Sequence, residues 1–412
     1  MSFNHVLPLR YAGTPKSNNH SYRPPTKYTK WHEQQNIEIR TSRHSRNGPV
    51  IRKTTRLRQH QEDIGFEAEK ANSNRKSSSP SSSTAPRVRS PRFPRTAKEK
   101  HQRATSDDRS EPKVILTDYD IMKLERKGFH VDKPLSSGSC GQIFMMTYKL
   151  PEKEADNSTY KMAVKVVDRN VVEDNFIKKF LPREIEILSE IDHPYVVTVY
   201  AMMEMNEKAY FFMRYAENGD LLEYITKHGA LPENHGRLWM RQLLMAVDYL
   251  DKTGIAHRDI KCENILVTAN LNIQLADFGF ARKYVNDEGK ELMCETYCGS
   301  LSYAAPEILE GRPFCPKKVD IWSTGIVMFI MFNLEKPFKR KAPHQLLLAQ
   351  QSKAYKWSQV GITKTSDDCK KMVDAMLEPD VMRRPRAATL LQKTWMTADP
   401  DVIKYTPELR EK

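Results

Sequence analysis

The sequence predicts an α+β body of two lobes, a small β-rich one followed by a larger helical one, preceded by a disordered basic arm. Three observations predict it: where the charge lies, where hydrophobic periodicity begins, and where that periodicity changes from strand to helix. The formal charge of +14 is confined to the first quarter, since residues 1–116 carry 24 basic and 10 acidic side chains and the remainder of the 412 residues carries 42 of each. A surplus spread over the body would point to a domain that coats nucleic acid. A neutral body with a basic arm is a different object.

Residues 1–115 are rich in Ser, Pro, Asn, Arg and Lys, as in RKSSSPSSSTAPRVRSPRFPRTAKEK, and show no sustained apolar period. Such a segment buries too little surface to offset its chain entropy, so disorder is expected. A docking arm, a phosphorylation target and a loose polyanion contact are its functional readings; a solvated tail without a dedicated partner is at least as well supported. Ser79 and Ser90 each precede a proline and Ser106 follows Arg103 by three residues, patterns too short to carry weight alone. Aromatic side chains are few there, with Trp31, Phe66 and Phe93 scattered among some tyrosines, so nucleic acid is not an expected partner.

From Thr117 the texture changes. TDYDIMKLERKG reads as a short capped helix, and FHVDKPL, QIFMMTYKL and YKMAVKVVD as strands between turn-forming residues. A helix follows from Pro182, with Ile185, Leu188 and Ile191 on one face. After one more strand, AYFFMRY, and a joint near Asn218 and Gly219, the pattern turns helical in RLWMRQLLMAVDYLDKTG, VDIWSTGIVMFIMF and DDCKKMVDAMLEP. The expected divisions are an arm at 1–115, a small lobe at 129–214, a large lobe at 218–396 and a short tail at 397–412. No repeat is visible.

Six cysteines show neither the density of a disulfide scaffold nor a paired metal frame, which favours a reducing compartment. The first residues lack the apolar run of a signal peptide, and the longest apolar stretch, 325–332, is far shorter than the roughly 20 residues of a membrane span. A soluble cytoplasmic protein is expected, with the nucleus as a second compartment and no membrane partner.

Candidate chemistry begins at LSSGSCGQI, which comprises Leu135, Ser136, Ser137, Gly138, Ser139, Cys140, Gly141, Gln142 and Ile143. Its two glycines let backbone N–H groups approach phosphate oxygens, although a glycine turn between strands is by itself usually a plain hairpin. Lys165 sits in the apolar strand MAVKVV, where an inward charge needs a partner; Glu184 is the candidate, and a lysine reaching solvent is the ordinary alternative. HRDIKCEN (257–264) and DFG (277–279) then supply Asp259, able to accept a proton from an attacking hydroxyl, and Asn264 and Asp277, hard oxygen ligands suited to Mg²⁺. Each tripeptide alone is a common loop. Their order and spacing together are not.

These motifs resemble the eukaryotic protein kinases from Phe129 to about Met396, and the handful of stretches HRDIKCEN, LADFGFA, ETYCGSLSYAAPEILEG and LEPDVMRRP resemble the testis-specific serine kinases, a branch related to the calcium/calmodulin-dependent and AMP-activated groups. The resemblance implies the two-lobed kinase fold, with ATP and Mg²⁺ as cofactors. The glycine-rich turn would cover the phosphates, Lys165 would hold the α- and β-phosphates while pairing with Glu184, and Met213, Ala163 and Leu266 would surround the adenine. Asp259 would be the catalytic-loop base, Lys261 would contact the transferring phosphate, and Asn264 and Asp277 would hold the metal. Lys261 is also the serine/threonine form of that loop.

Further implications concern the segment ending at Ala305-Pro306-Glu307. Glu307 would pair with Arg384, Asp320 would bind the catalytic-loop backbone, and Ser300 would be the hydroxyl facing Lys261. His257 would pack on Phe278 as a core aromatic. Arg258 and Arg282 would capture a phosphate on Thr296, a regulatory site served by an upstream kinase or by autophosphorylation. Asp220 and Glu263 match positions that contact a basic residue three places before the target in arginine-directed kinases, while Ile330 replaces a residue acidic in some of them. Ser136 stands where the first loop glycine is usual, Arg214 where the hinge is often acidic, and Lys339, Arg340 and Lys341 where the loop after Pro337-Phe338 is usually acidic. The expected function is a serine/threonine protein kinase acting on protein hydroxyls in sperm-cell differentiation. A pseudokinase scaffold and a kinase of the neighbouring AMP-activated-related branch are the alternatives.

Overall fold

The computed structural model describes residues 116–138, 141–149, 159–172, 174–286, 288–296, 298–339 and 342–405. The readings made for the arm, including Ser79, Ser90 and Ser106, for Ser139, Cys140, Arg340 and Lys341, and for residues 406–412 lie outside the described residues.

Helix α1 (Asp118–Glu125) is capped as expected: Thr117 Oγ1 accepts the Asp120 N–H at 3.2 Å, and the Asp120 carboxylate accepts the Thr117 N–H at 3.0 Å. Asp120 is buried and receives the ammonium of Lys208 at 2.6 Å and the amide of Asn206 at 2.9 Å. Burial alone would raise its carboxyl, but these donors bring it down to about 2. The helix immediately after the arm is thereby fixed to the sheet by a buried charge pair.

That sheet is five-stranded, antiparallel throughout and ordered β1-β2-β3-β5-β4. Its strands are β1 (Phe129–Gly138), β2 (Gly141–Lys149), β3 (Thr159–Asp168), β4 (Val199–Met205) and β5 (Lys208–Arg214). Strand side chains alternate between faces, so Val164 and Val166 join Phe144, Met146, Tyr210, Phe212 and Leu124 in one core while Ala163 and Lys165 point the other way. Across the register, Lys165 lies opposite Ile143 and Phe211, and Ala163 opposite Met213. Gly141, at φ +148°, passes so close to β3 that a Cβ would stand 2.3 Å from the Val166 carbonyl oxygen. The β1–β2 turn accepts no other residue there.

Strand β4 was not legible, and its turn explains why. Asn206 and Glu207 join β4 to β5 with φ of +53° and +58°, the two left-handed residues of a tight hairpin, but the pair lacks the glycine that usually marks such turns. Helices α2 (Asp174–Lys179) and α3 (Leu181–Glu190) lie between β3 and β4. Leu188 lies on the buried face of α3 as expected, together with Leu181, Glu184 and Ile187, whereas Ile185 is only half-buried and Ile191 ends the helix as its cap. Glu184 joins this apolar face because it is paired with Lys165.

The chain crosses between lobes through residues 215–220, where the Asn218 N–H donates to Val267 O at 3.1 Å and the Val267 N–H to Gly219 O at 2.9 Å. Asp220 caps α4 (Leu221–His228) through the Glu223 N–H. The helical lobe is built around α5 (Glu233–Lys252), with the short pairs β6 (Ile255–Ala256) with β9 (Arg282–Lys283), and β7 (Ile265–Val267) with β8 (Ile273–Leu275), along its side. Next come α6 (Pro306–Leu309), α7 (Pro316–Asn333), α8 (Pro343–Gln351), α9 (Gln359–Lys364), α10 (Asp367–Met376) and α11 (Ala387–Leu391). Sixteen of the 18 residues of α7 are buried, as its apolar run demands. No helix among the described residues is long and apolar enough to cross a membrane.

Candidate active site

The loop 257–264 between β6 and β7 is held rigidly from below. Asp320, buried in α7, accepts the backbone N–H of His257 at 2.7 Å and of Arg258 at 2.8 Å. Burial pushes the Asp320 carboxyl up to about 7 even though those N–H groups pull the other way. His257 stacks edge-on against Phe278 with centroids 4.8 Å apart, and its Nε2 lies 3.1 Å from Ala276 O. Burial lowers the imidazole to about 4, so it is a neutral core aromatic.

Two residues of this region hold positive φ without being glycine: Arg258 and Asp277, both at +66°. Such strain persists only where surrounding contacts over-determine it. For Arg258 those contacts are Asp320 at its N–H and the Phe280 carbonyl at its Nε, 2.8 Å away. For Asp277 the anchor is Lys165.

The Lys165 ammonium donates to Glu184 Oε1 at 2.6 Å and to Asp277 Oδ1 at 2.9 Å, so the small lobe's β3 and α3 and the large lobe's DFG turn meet at one nitrogen. Burial favours the neutral amine, but the carboxylates of Asp277 and Glu184 outweigh it and hold Lys165 above the ordinary lysine range. Asp277, opposed by burial and drawn down mainly by Lys165, titrates at about 2 and is ionised at neutral pH. The ordinary alternative for Lys165, a lysine reaching solvent, is excluded by its burial. Glu184 Oε2 is buried without a partner among the described residues, beside Gly279.

Asp259 lies on the far side of the DFG turn and is 5% exposed. Its Oδ2 accepts Lys261 Nζ at 2.6 Å and Asn264 Nδ2 at 3.1 Å, and its Oδ1 accepts the Ser300 N–H at 3.2 Å. Burial raises its carboxyl, and the Lys261 charge works against that rise. Ser300 thus approaches through its backbone. Gly299, at φ +99°, makes the approach possible, since a Cβ there would stand 2.8 Å from Arg258 O and 3.0 Å from Asp259 Oδ1.

The donor set fits a hard divalent ion carrying a polyphosphate. Asn264 spends its amide nitrogen on the Asp259 carbonyl and carboxylate, which turns its carbonyl oxygen outward as a neutral ligand. Asp277 has one oxygen on Lys165 and an ionised second one, and its side chain is 45% exposed to the cleft. One carboxylate and one carboxamide make an incomplete cage, the kind that phosphate oxygens and water complete. Gly138 and Gly141 pair directly at the end of the β1–β2 hairpin, with open space around Gly138. Leu135, Ser136 and Ser137 run along β1, Gln142 and Ile143 along β2, and Ala163, Met213 and Leu266 lie on β3, β5 and β7.

The segment after the DFG turn is tied at several points. Arg258 Nη1 donates to Thr296 O at 3.5 Å, Arg282 Nη1 reaches Cys294 Sγ at 3.8 Å, and Thr296 itself is exposed. Glu307 and Arg384 form a bidentate pair at 2.7 and 3.0 Å. Sequence reading missed Lys283, whose ammonium bridges Glu186 at 2.7 Å and Glu190 at 2.9 Å on α3. Partners nearly a hundred residues apart leave no spacing signal.

Comparison with known proteins agrees with this geometry. The protein kinase domain model matches residues 129–396. Testis-specific serine/threonine-protein kinase 1 of Mus musculus is 36% identical over 67% of this chain and 74% of its own length. Testis-specific serine/threonine-protein kinase 3 of Mus musculus is 34% identical over 66% of this chain and 97% of its own. Serine/threonine-protein kinase SIK1 of Rattus norvegicus is 31% identical over 68% of this chain and 34% of its own.

Proposed function

The chain belongs to the protein kinase family and is a serine/threonine protein kinase, and on that premise we propose that it is a catalytically competent Mg²⁺·ATP-dependent one. The observation that carries the proposal is the convergence of Lys165, Glu184 and Asp277 on one closed ion network, with Asp259, Lys261 and Asn264 bonded to one another beside it. A scaffold without transfer has no use for that network, which costs desolvation and backbone strain.

In this reading Mg²⁺·ATP supplies the transferable phosphoryl group and the cation that neutralises its charge. Lys165 orients the α- and β-phosphates, and Glu184 fixes Lys165. Asn264 and Asp277 hold the metal. Asp259 takes up and orients the proton of the acceptor hydroxyl through Oδ1, while Lys261 faces the phosphate in transit. The protein's contribution is alignment and electrostatic preorganisation, which is what phosphoryl transfer requires. Ala163, Met213 and Leu266 form the adenine slot, and the β1–β2 turn covers the phosphates.

Substrate choice belongs to the same proposal. Burial, with the negative charges of Glu223 and Glu263 nearby, raises Asp220 to about 6, so two carboxylates face one region of the cleft and a basic residue there relieves them. Incubating the protein with a degenerate Ser/Thr peptide library, Mg²⁺ and ATP is expected to give phosphotransfer that EDTA stops, with arginine enriched three places before the acceptor. A flat profile at that position ends the Asp220 and Glu263 assignment; absence of transfer ends the competence proposal.

Thr296 is proposed as an activating phosphosite. Arg258 donates to its backbone carbonyl and Arg282 reaches Cys294 two residues earlier, so a phosphate on the exposed Thr296 side chain would have two guanidinium groups to draw in, ordering the segment that carries Ser300. In protein carrying phosphate there, Thr296→Ala is expected to lower kcat/KM at least about tenfold, the value of one or two charge-assisted hydrogen bonds. Full activity of that variant removes the site. A role in sperm-cell differentiation rests on the testis-specific kinases among the relatives, and a cytoplasmic or nuclear location rests on the cysteine usage.

A further inference from the structure

Residues 298–305 lead from Asp259 into the helical lobe, and an exposed lysine with no ion-pair partner among the described residues, Lys336, lies against them. At the start of this strip the Ser300 N–H donates to Asp259 Oδ1 at 3.2 Å. Two residues on, Ser302 Oγ accepts Lys336 Nζ at 2.8 Å, and the next side chain, Tyr303, places its ring 5.4 Å from the same ammonium. Two residues of extended chain span at most about 7 Å. Lys336 therefore lies within a few peptide positions of any hydroxyl presented to Asp259.

Its charge is not spent elsewhere. Lys336 is exposed and forms no ion pair among the described residues, whereas its neighbour Lys339 is paired with Glu335. At the hydroxyl end of Tyr303 the charge has the other sign: the buried tyrosine's hydroxyl donates to Glu263 Oε2 at 3.3 Å, and Glu263 adds to the negative potential at Asp220. Tyr303 thus touches a carboxylate at its hydroxyl and an ammonium at its ring. An exposed ammonium held only by a neutral hydroxyl and an aromatic ring is free to close on an anion that arrives.

We propose that Lys336 is a specificity-determining residue that binds an anionic side chain of the protein substrate, a carboxylate or a phosphate ester, a few positions from the acceptor. Acceptor segments are then selected for opposite charges on their two sides, a basic residue toward Asp220 and Glu263 and an acidic one toward Lys336. The inference rests on the kinase reading above, and its test separates the two.

The experiment uses the full-length protein and a parent peptide with one serine, an arginine three places before it and no other charged side chain. Glutamate, and in a second series phosphoserine, is walked through the remaining positions, and kcat/KM is measured relative to the parent. At one position the ratio is expected to rise about two- to five-fold for glutamate, as an exposed ion pair allows, more for phosphoserine, and to shrink as salt is added. It is expected to fall to one in Lys336→Ala, to drop below one in Lys336→Glu and to persist in Lys336→Arg. Because each ratio is taken within one variant, a smaller folded fraction cancels. Turnover of the parent reports the kinase reading by itself. Parent turnover with a ratio of one at every position in the wild type, or with the raised ratio surviving in Lys336→Ala, overturns the Lys336 assignment alone.

Discussion

Asp277→Asn is expected to abolish metal-dependent phosphotransfer, lowering kcat at least about 10²- to 10³-fold, while the fold survives. The reasoning starts from the backbone. Asp277 holds φ +66°, and asparagine is one of the few side chains that adopt the left-handed region readily, so the substitution removes charge without moving the chain. What disappears is a negative charge: the wild-type carboxyl titrates at about 2, and although an amide oxygen can still ligate, as Asn264 would, a site left with two neutral carboxamides has no anion to hold a hard divalent ion. The Lys165 ammonium keeps its 2.6 Å contact with Glu184, so the link between β3 and α3 remains. Circular dichroism and melting temperature should stay near wild type while transfer to peptide is lost. Unchanged turnover would refute the metal-holding role, and it would do so without appeal to misfolding.

What the sequence made legible and what it hid divide along a physical line. Asp259, Lys261, Asn264, Asp277, Lys165 and Glu184 were named from short local motifs whose chemistry is local, and the structure brings them together within hydrogen-bond distance. The long helices α5 and α7 were equally plain, the first from an amphipathic period and the second from a nearly unbroken apolar run. Failures occurred where a distant partner decided the outcome. The buried face of α3 also holds Glu184, drawn in by the distant Lys165, so a period counted on Ile185, Leu188 and Ile191 caught only Leu188 of it. Strand β4 ends in a turn built from Asn206 and Glu207, and a glutamate at φ +58° has no recognisable signature. Lys283 and Lys336 carry their meaning only in the fold, since the carboxylates of one and the serine and tyrosine of the other are remote in sequence.

The pair Glu307–Arg384 carries the largest expected effect on stability. Arg384 is fully buried, and every polar contact it makes is inside the protein: Glu307 at 2.7 and 3.0 Å, Glu378 O at 2.9 Å, Lys318 O at 2.9 Å, with its guanidinium 5.1 Å from the Trp322 ring centroid. Removing one member of such a pair strands the other as an uncompensated charge, which costs about 3–5 kcal/mol. For a body of this size each kcal/mol moves the melting temperature by roughly 2–4 °C, so a loss of about 3–5 kcal/mol should make Arg384→Met melt roughly 6–20 °C below wild type. Glu307 opens α6, directly after the strip that brings Ser300 to Asp259, and activity should therefore fall at temperatures where the protein is still folded. Adding Glu307→Leu to Arg384→Met removes the stranded carboxylate and should recover part of the loss, a non-additivity that ordinary cavity formation at two separate sites does not produce. A double variant whose melting temperature falls by the sum of the single losses would mean that the stranded charge is not the source of the instability.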